Sequence, residues 1–124
     1  MHIALYVAAV LAVAVGVAHS YLGERFILIR LFRRNDLPAL FGSSEFTIRT
    51  LRFAWHVTSV AWWGFASILV LMARPSFSPG SVGLVIGCTF LVHFLIALVG
   101  SRGRHLSWIV FLLIGVITIY GTRG

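Results

Sequence analysis

The chain reads as an all-α protein, a four-span transmembrane helical bundle of up-down topology with both termini outside. Three observations lead there. Of its 124 residues, 60% are hydrophobic and only 10% are charged, where a soluble domain carries about 25% charged residues. Four long apolar runs follow one another, and a span needs roughly 20 such residues at about 1.5 Å rise each. The charge that remains is concentrated at the ends of those runs. All ten basic residues are arginines, set against Glu24, Asp36 and Glu45.

Spans are expected at about 3–21, 47–73, 81–100 and 105–121, with a cytoplasmic loop carrying an amphipathic segment over 22–45. They use up most of the chain, so residues 1–124 form one integral membrane domain with no room for an extramembrane one. Arg25, Arg30, Arg33, Arg34, Arg49, Arg52, Arg102 and Arg104 fall on one side of this arrangement, and Arg74 and Arg123 on the other. The positive-inside rule makes the crowded side cytoplasmic and places both termini outside. A bacterial inner membrane is the expected location. A sequence pI near 11.4 often signals nucleic acid, but arginines beside spans are explained by topology. The lipid bilayer is therefore the expected partner, and nucleic acid is not.

In the first run, Ile3 to Ser20, the residues Ala4, Ala8, Ala12, Gly16 and Ser20 form a row of small side chains four apart, followed by Glu24. Such a row lets another helix approach closely. The segment before Ile3 has neither Lys nor Arg, so the run reads as an uncleaved span and not a secretory signal. No proline interrupts the chain up to Asp36. The stretch 22–34, apolar residues mixed with arginines, therefore either extends the first helix or breaks at Gly23 and lies along the headgroups. Asp36-Leu37-Pro38 and Gly42-Ser43-Ser44 mark turns, with Ser43 or Ser44 placed to cap the second helix.

The second helix carries the most unusual stretch of the chain. Arg49, Arg52, His56, Ser59 and Trp63 fall on one narrow face as the helix descends from the aqueous edge into hydrocarbon. A polar stripe there is costly unless something meets it. A short external loop, Arg74 to Gly80, leads to the third span, where Gly83 and Gly87 form a GxxxG pair. The small-residue rows (Ala8, Ala12 and Gly16; Gly83 and Gly87) point to a homo-oligomer or to an accessory or scaffold subunit of a membrane complex. Cys88, the single cysteine, excludes an internal disulfide and reads as a small apolar residue.

Histidines supply the candidate chemistry. His19, His56, His93 and His105 occur one per span, and the up-down topology puts all four in the cytoplasmic leaflet. A lone intramembrane histidine is commonly just hydrogen-bonded to a neighbouring Ser, Thr or carbonyl, and Ser20, Ser59 and Thr89 are available for that. Four at one depth instead indicate a shared site for a cofactor, an ion or a proton relay. Neutral imidazole ligates metals and haem iron. His56 and His93 are the expected haem pair, with Arg49 and Arg52 for its propionates. A transition-metal ion held by His19, His56, His93 and Glu24 is the alternative. Glu24 is an acid partner for Arg49, Arg52 or an imidazole, or the end of a proton relay whose mouth is His105.

Either cofactor points to electron or proton transfer. A different function class follows from the arginines, whose forks bind phosphate and carboxylate bidentately. Arg30, Arg49, Arg52 and Arg104 would then line a cytoplasmic groove for an anionic lipid headgroup or another anion. No nucleotide-binding, catalytic-triad or zinc-protease motif occurs, so the sequence names no reaction or substrate.

Overall fold

The computed structural model describes residues 2–124. Helix α1 runs without interruption over His2–Leu31, 30 residues, and includes a π-helical turn at Gly23–Leu28. The stretch after residue 22 thus extends the first helix. With no proline to stop it, the backbone accommodates the change of register by widening one turn. Helix α2 spans Glu45–Met72, α3 Pro79–Gly100 and α4 Ser107–Gly121. Between α1 and α2 the chain makes a tight turn, Leu40 bridged to Ser43, with Phe41 and Gly42 at positive φ (57° and 88°).

Helices α1, α2 and α3 are long and apolar enough to cross a membrane. Helix α4 is apolar but has only 15 residues, about 22 Å of rise against a hydrocarbon core of about 30 Å. It begins two residues later than the periodicity indicates. The preceding turn passes through left-handed backbone at Arg102 (φ 53°) and Gly103 (φ 76°), which uses up His105 and Leu106. Large apolar side chains face outward along every helix, among them Val10 (68% exposed), Phe65 (63%), Val99 (72%) and Ile117 (65%). Such a surface is costly in water and matched to hydrocarbon. Three helices of this length and this outward apolar surface are compatible with insertion in a membrane.

The bundle is open. Helix α1 packs on α2, α2 on α3 and α3 on α4, each pair antiparallel, while the backbones of α1 and α4 do not approach each other. The end of α1, the start of α2, the end of α3 and the start of α4 therefore share one face. Arg49 and Arg102 both reach Glu45 there, and His105 stacks near Phe46.

Close approach in each pair depends on glycine. On α1 the buried line is Ala9, Gly16 and Gly23, seven residues apart. The expected row every four residues behaves differently: Ala8 and Ala12 are half-buried and Ala4 is exposed. Four-residue steps wind steadily away from a neighbour, whereas seven-residue steps stay beneath it. A Cβ at Gly16 would collide with the Trp63 indole, and one at Gly23 with that of Trp55. On α3, Gly83 lies under Thr122, and Gly87 faces Gly115 so closely that a Cβ would sit 3.1 Å from its carbonyl oxygen.

The start of α3 shows why that helix begins two residues earlier than the apolar run. Ser78 accepts from the Ser81 amide (3.1 Å), Ser81 Oγ accepts from the Ser78 amide (3.2 Å), and Pro79 occupies the first turn. This is a reciprocal capping box with a serine in place of the usual acid. Ser78→Ala is expected to cost about 1 kcal/mol of stability, measured by thermal unfolding in detergent.

Candidate functional site

Polar side chains meet at the arginine-rich end, along the seam between α1 and α2. Glu24, near the start of the π turn, forms an ion pair with Arg52 (Oε1 to Nη2, 2.9 Å) and a hydrogen-bonded pair with His56 (Oε2 to Nε2, 3.0 Å). His56 Nδ1 lies 3.0 Å from Ser20 Oγ, which lies 2.6 Å from Ser59 Oγ. Ser59 is fully buried. The result is one continuous chain, Arg52–Glu24–His56–Ser20–Ser59, running from the mouth into the seam.

Local structure explains the alignment. Ser20 and Glu24 are four apart on α1, as are Arg52 and His56 on α2, so each helix presents its pair on one face. The antiparallel packing then interleaves them. Helix-widening π turns often accompany functional sites, and here the widening begins at the residue before Glu24. Two indoles fasten the seam on either side of the chain. Trp55 Nε1–H donates to the His19 carbonyl (2.9 Å) and Trp63 Nε1–H to the Val13 carbonyl (3.2 Å).

The opposite face of α2 opens onto α3. Between them lies a groove of about 930 Å³. Its polar end carries Glu45, Arg49 and Arg52; its length is walled by Phe53, Leu95, Ile96 and Val99, with His56 also on the lining. Arg49 donates to Glu45 (3.0 Å) and through Nη1 to the Gly100 carbonyl (3.2 Å), which leaves Nη2 without an acceptor among the described residues. Arg52 is placed by Glu24 and by the Phe32 ring, 4.9 Å from its guanidinium carbon. Its Nε and Nη1 have no acceptor among the described residues, and its side chain is 44% exposed.

The remaining expected ligands do not join this site. His19 stacks flat on Trp55 (ring centroids 4.4 Å apart) and touches Trp62. His93 is buried edge-on against Phe90 and the Phe111 ring of α4, with the Val57 backbone of α2 also beside it. His105 hydrogen-bonds to Ser107 Oγ (2.8 Å) and stands against Phe46 and Phe53. Only Glu24 and His56 meet. Among the described residues, no three His, Cys, Asp or Glu side chains converge in a group that could hold a metal ion. The structure thus shows no metal group formed by His19, His56, His93 and Glu24, and the expected haem pair, His56 and His93, is engaged with different side chains. His56 engages α1 while His93 engages α4, and α2 and α3 turn their imidazoles to different neighbours. His105 likewise lies outside the Glu24 relay. A similar position along neighbouring helices does not make residues neighbours when each helix is rotated independently about its axis.

Of the arginines expected in an anion groove, Arg49 and Arg52 line it; Arg30 lies over the Phe26 ring instead, and Arg104 is not on the lining. Arg34 makes a two-pronged contact with Asp36 (2.8 and 2.6 Å) in the exposed connection, and this pairing holds the Asp36 carboxyl below the usual carboxylate range. Both side chains are in solvent, so the pair organises the turn and contributes little to stability. The groove wall of Leu95, Ile96 and Val99 carries no sequence signal, since apolar residues of a span look alike until a neighbour is placed. No known protein family, curated protein or solved structure matches the chain.

Proposed function

We propose that the chain is a four-span protein of the cytoplasmic-facing type, termini outside, that binds a membrane phospholipid in the groove between α2 and α3. A lipid phosphate would meet the free Nη2 of Arg49 and take the Arg52 fork bidentately through Nη1 and Nη2, the latter held by Glu24 while the groove is empty, and an acyl chain would lie along Phe53, Leu95, Ile96 and Val99. One observation carries this reading. The groove pairs two incompletely satisfied guanidinium groups at its aqueous end with an apolar wall that continues into the depth of the span. Arginine forks match phosphate geometry, and a partly desolvated site strengthens such contacts. A fourth span is supported by the antiparallel packing of α4 on α3 and by its apolar composition, with shortness compensated by local thinning or flanking residues.

Native mass spectrometry of the protein purified in neutral detergent tests the reading. The wild type is expected to retain phosphatidylglycerol, and the double variant Arg49→Gln/Arg52→Gln to bind it roughly tenfold more weakly or worse, equivalent to about 1.4 kcal/mol. Equal retention by both proteins would remove the groove as the binding site.

A further inference from the structure

Arg52 belongs to two sites at once. It lines the groove, and it holds Glu24 at 2.9 Å across the seam. The same carboxylate holds His56 at 3.0 Å through its other oxygen, and His56 lines the groove as well. We propose that Glu24 is a proton-coupled internal competitor for the groove: it holds Arg52 while the groove is empty, and it yields Arg52 to the lipid phosphate by turning wholly to His56, which takes up a proton.

The charge balance at the membrane edge requires that step. With the groove empty, Arg52 and Glu24 neutralise each other. A bound phosphate diester neutralises Arg52 in turn and leaves Glu24 facing only the imidazole. A carboxylate without a counter-charge is costly in that setting, and an imidazolium removes the cost. The proton enters from the aqueous mouth and resides on the imidazole; no other bond is made or broken.

The serine pair makes both states admissible. When His56 is neutral, with its Nε2–H on Glu24, Nδ1 accepts from the Ser20 hydroxyl and Ser20 accepts from Ser59. When His56 is protonated, Nδ1–H donates to Ser20, and the two hydroxyls reverse direction. Each hydroxyl is both donor and acceptor, so neither state leaves a ring nitrogen unpaired. A buried apolar neighbour in place of Ser20 would favour one state only. Other groups around His56 do not interfere. Helix α1 offers Ser20 and Glu24, with Arg25 nearby but turned to Tyr21 Oη (3.1 Å); α2 offers Arg52 and Ser59, with Arg49 further along the groove; the α3 residues that share the groove lining with His56 (Leu95, Ile96, Val99 and Gly100) carry no titratable side chain.

The coupling rests on the lipid-binding reading above, and the test separates the two. Short-chain phosphatidylglycerol, a diester with no ionisation of its own near neutrality, is titrated into the protein in neutral detergent by calorimetry. Buffers of different ionisation heat then count protons. Wild type is expected to take up about one proton per lipid where His56 is neutral in the empty protein, its affinity rising as much as tenfold per unit fall in pH through that range. Glu24→Gln removes the competitor: it is expected to bind about fivefold more tightly, as loss of a partly exposed ion pair implies, with no proton uptake. His56→Gln is expected to bind without uptake and with little pH dependence. Proton uptake in Glu24→Gln equal to wild type would overturn the proposal, as would binding by wild type without uptake at any pH from 5 to 8, a span around the roughly 6.5 of free imidazole. Binding indifferent to Arg49→Gln/Arg52→Gln would instead overturn the groove itself.

Discussion

Gly23→Leu is expected to pull α1 away from α2 and to abolish the polar chain with it. The Cβ of any larger residue at 23 would occupy the space of the Trp55 indole. That indole cannot simply rotate aside, because its N–H is bonded to the His19 carbonyl and its face is covered by the His19 ring. Overpacking typically costs about 1–3 kcal/mol, and a position with an anchored aromatic neighbour belongs at the upper end. Gly23 also opens the π turn that carries Glu24, so displacement there separates Glu24 from Arg52 and His56. The check is a paired one: thermal unfolding in detergent, and disulfide trapping between cysteines introduced on facing positions of α1 and α2. A variant with wild-type stability and full trapping would show that the seam tolerates what its geometry forbids. Gly16→Leu, which meets Trp63 in the same manner, should reproduce the stability loss while sparing Glu24, since it lies two turns away from the π segment.

Gly87→Leu should release α4. The added side chain would meet Ile119 at 2.5 Å and the Gly115 carbonyl oxygen at 3.1 Å, and backbone cannot yield as a flexible side chain does. Among the described residues, α3 is the one helix packed on α4, so no other helix retains it. Protease sensitivity at the turn over 101–106 and loss of cross-linking between α3 and α4 are the expected readouts. The groove between α2 and α3 is walled by neither Gly87 nor α4. Phospholipid retention should therefore survive in the fraction of Gly87→Leu protein that stays folded, whereas Gly23→Leu disturbs the Arg52 side of the groove.

Much of the architecture can be read from the chain alone. Apolar runs of span length locate α1, α2 and α3, and the Ser78-Pro79 pair marks the start of α3 once capping is considered. The missing proline after Gly23 allows a continuous first helix but does not select it over a surface helix. The closeness of Glu24 to His56 and Arg52 is also partly visible, as i, i+4 pairs on successive helices of an up-down chain. The fourth helix is less legible, because a turn through left-handed backbone at Arg102 depends on contacts that hydropathy does not report.

Composition and arginine placement determined that this is a membrane-compatible helical chain with one strongly basic end, because the requirement to satisfy backbone polar groups in hydrocarbon leaves helices as the solution for long apolar runs. Position along each helix follows from counting residues, and counting alone makes one depth the expectation for the four histidines. Only tertiary structure decided their company. Rotation of each helix about its axis is fixed by which glycine sits beneath which indole or threonine. That rotation sends His93 toward Phe111 and His19 onto Trp55, and leaves Glu24 shared between His56 and Arg52.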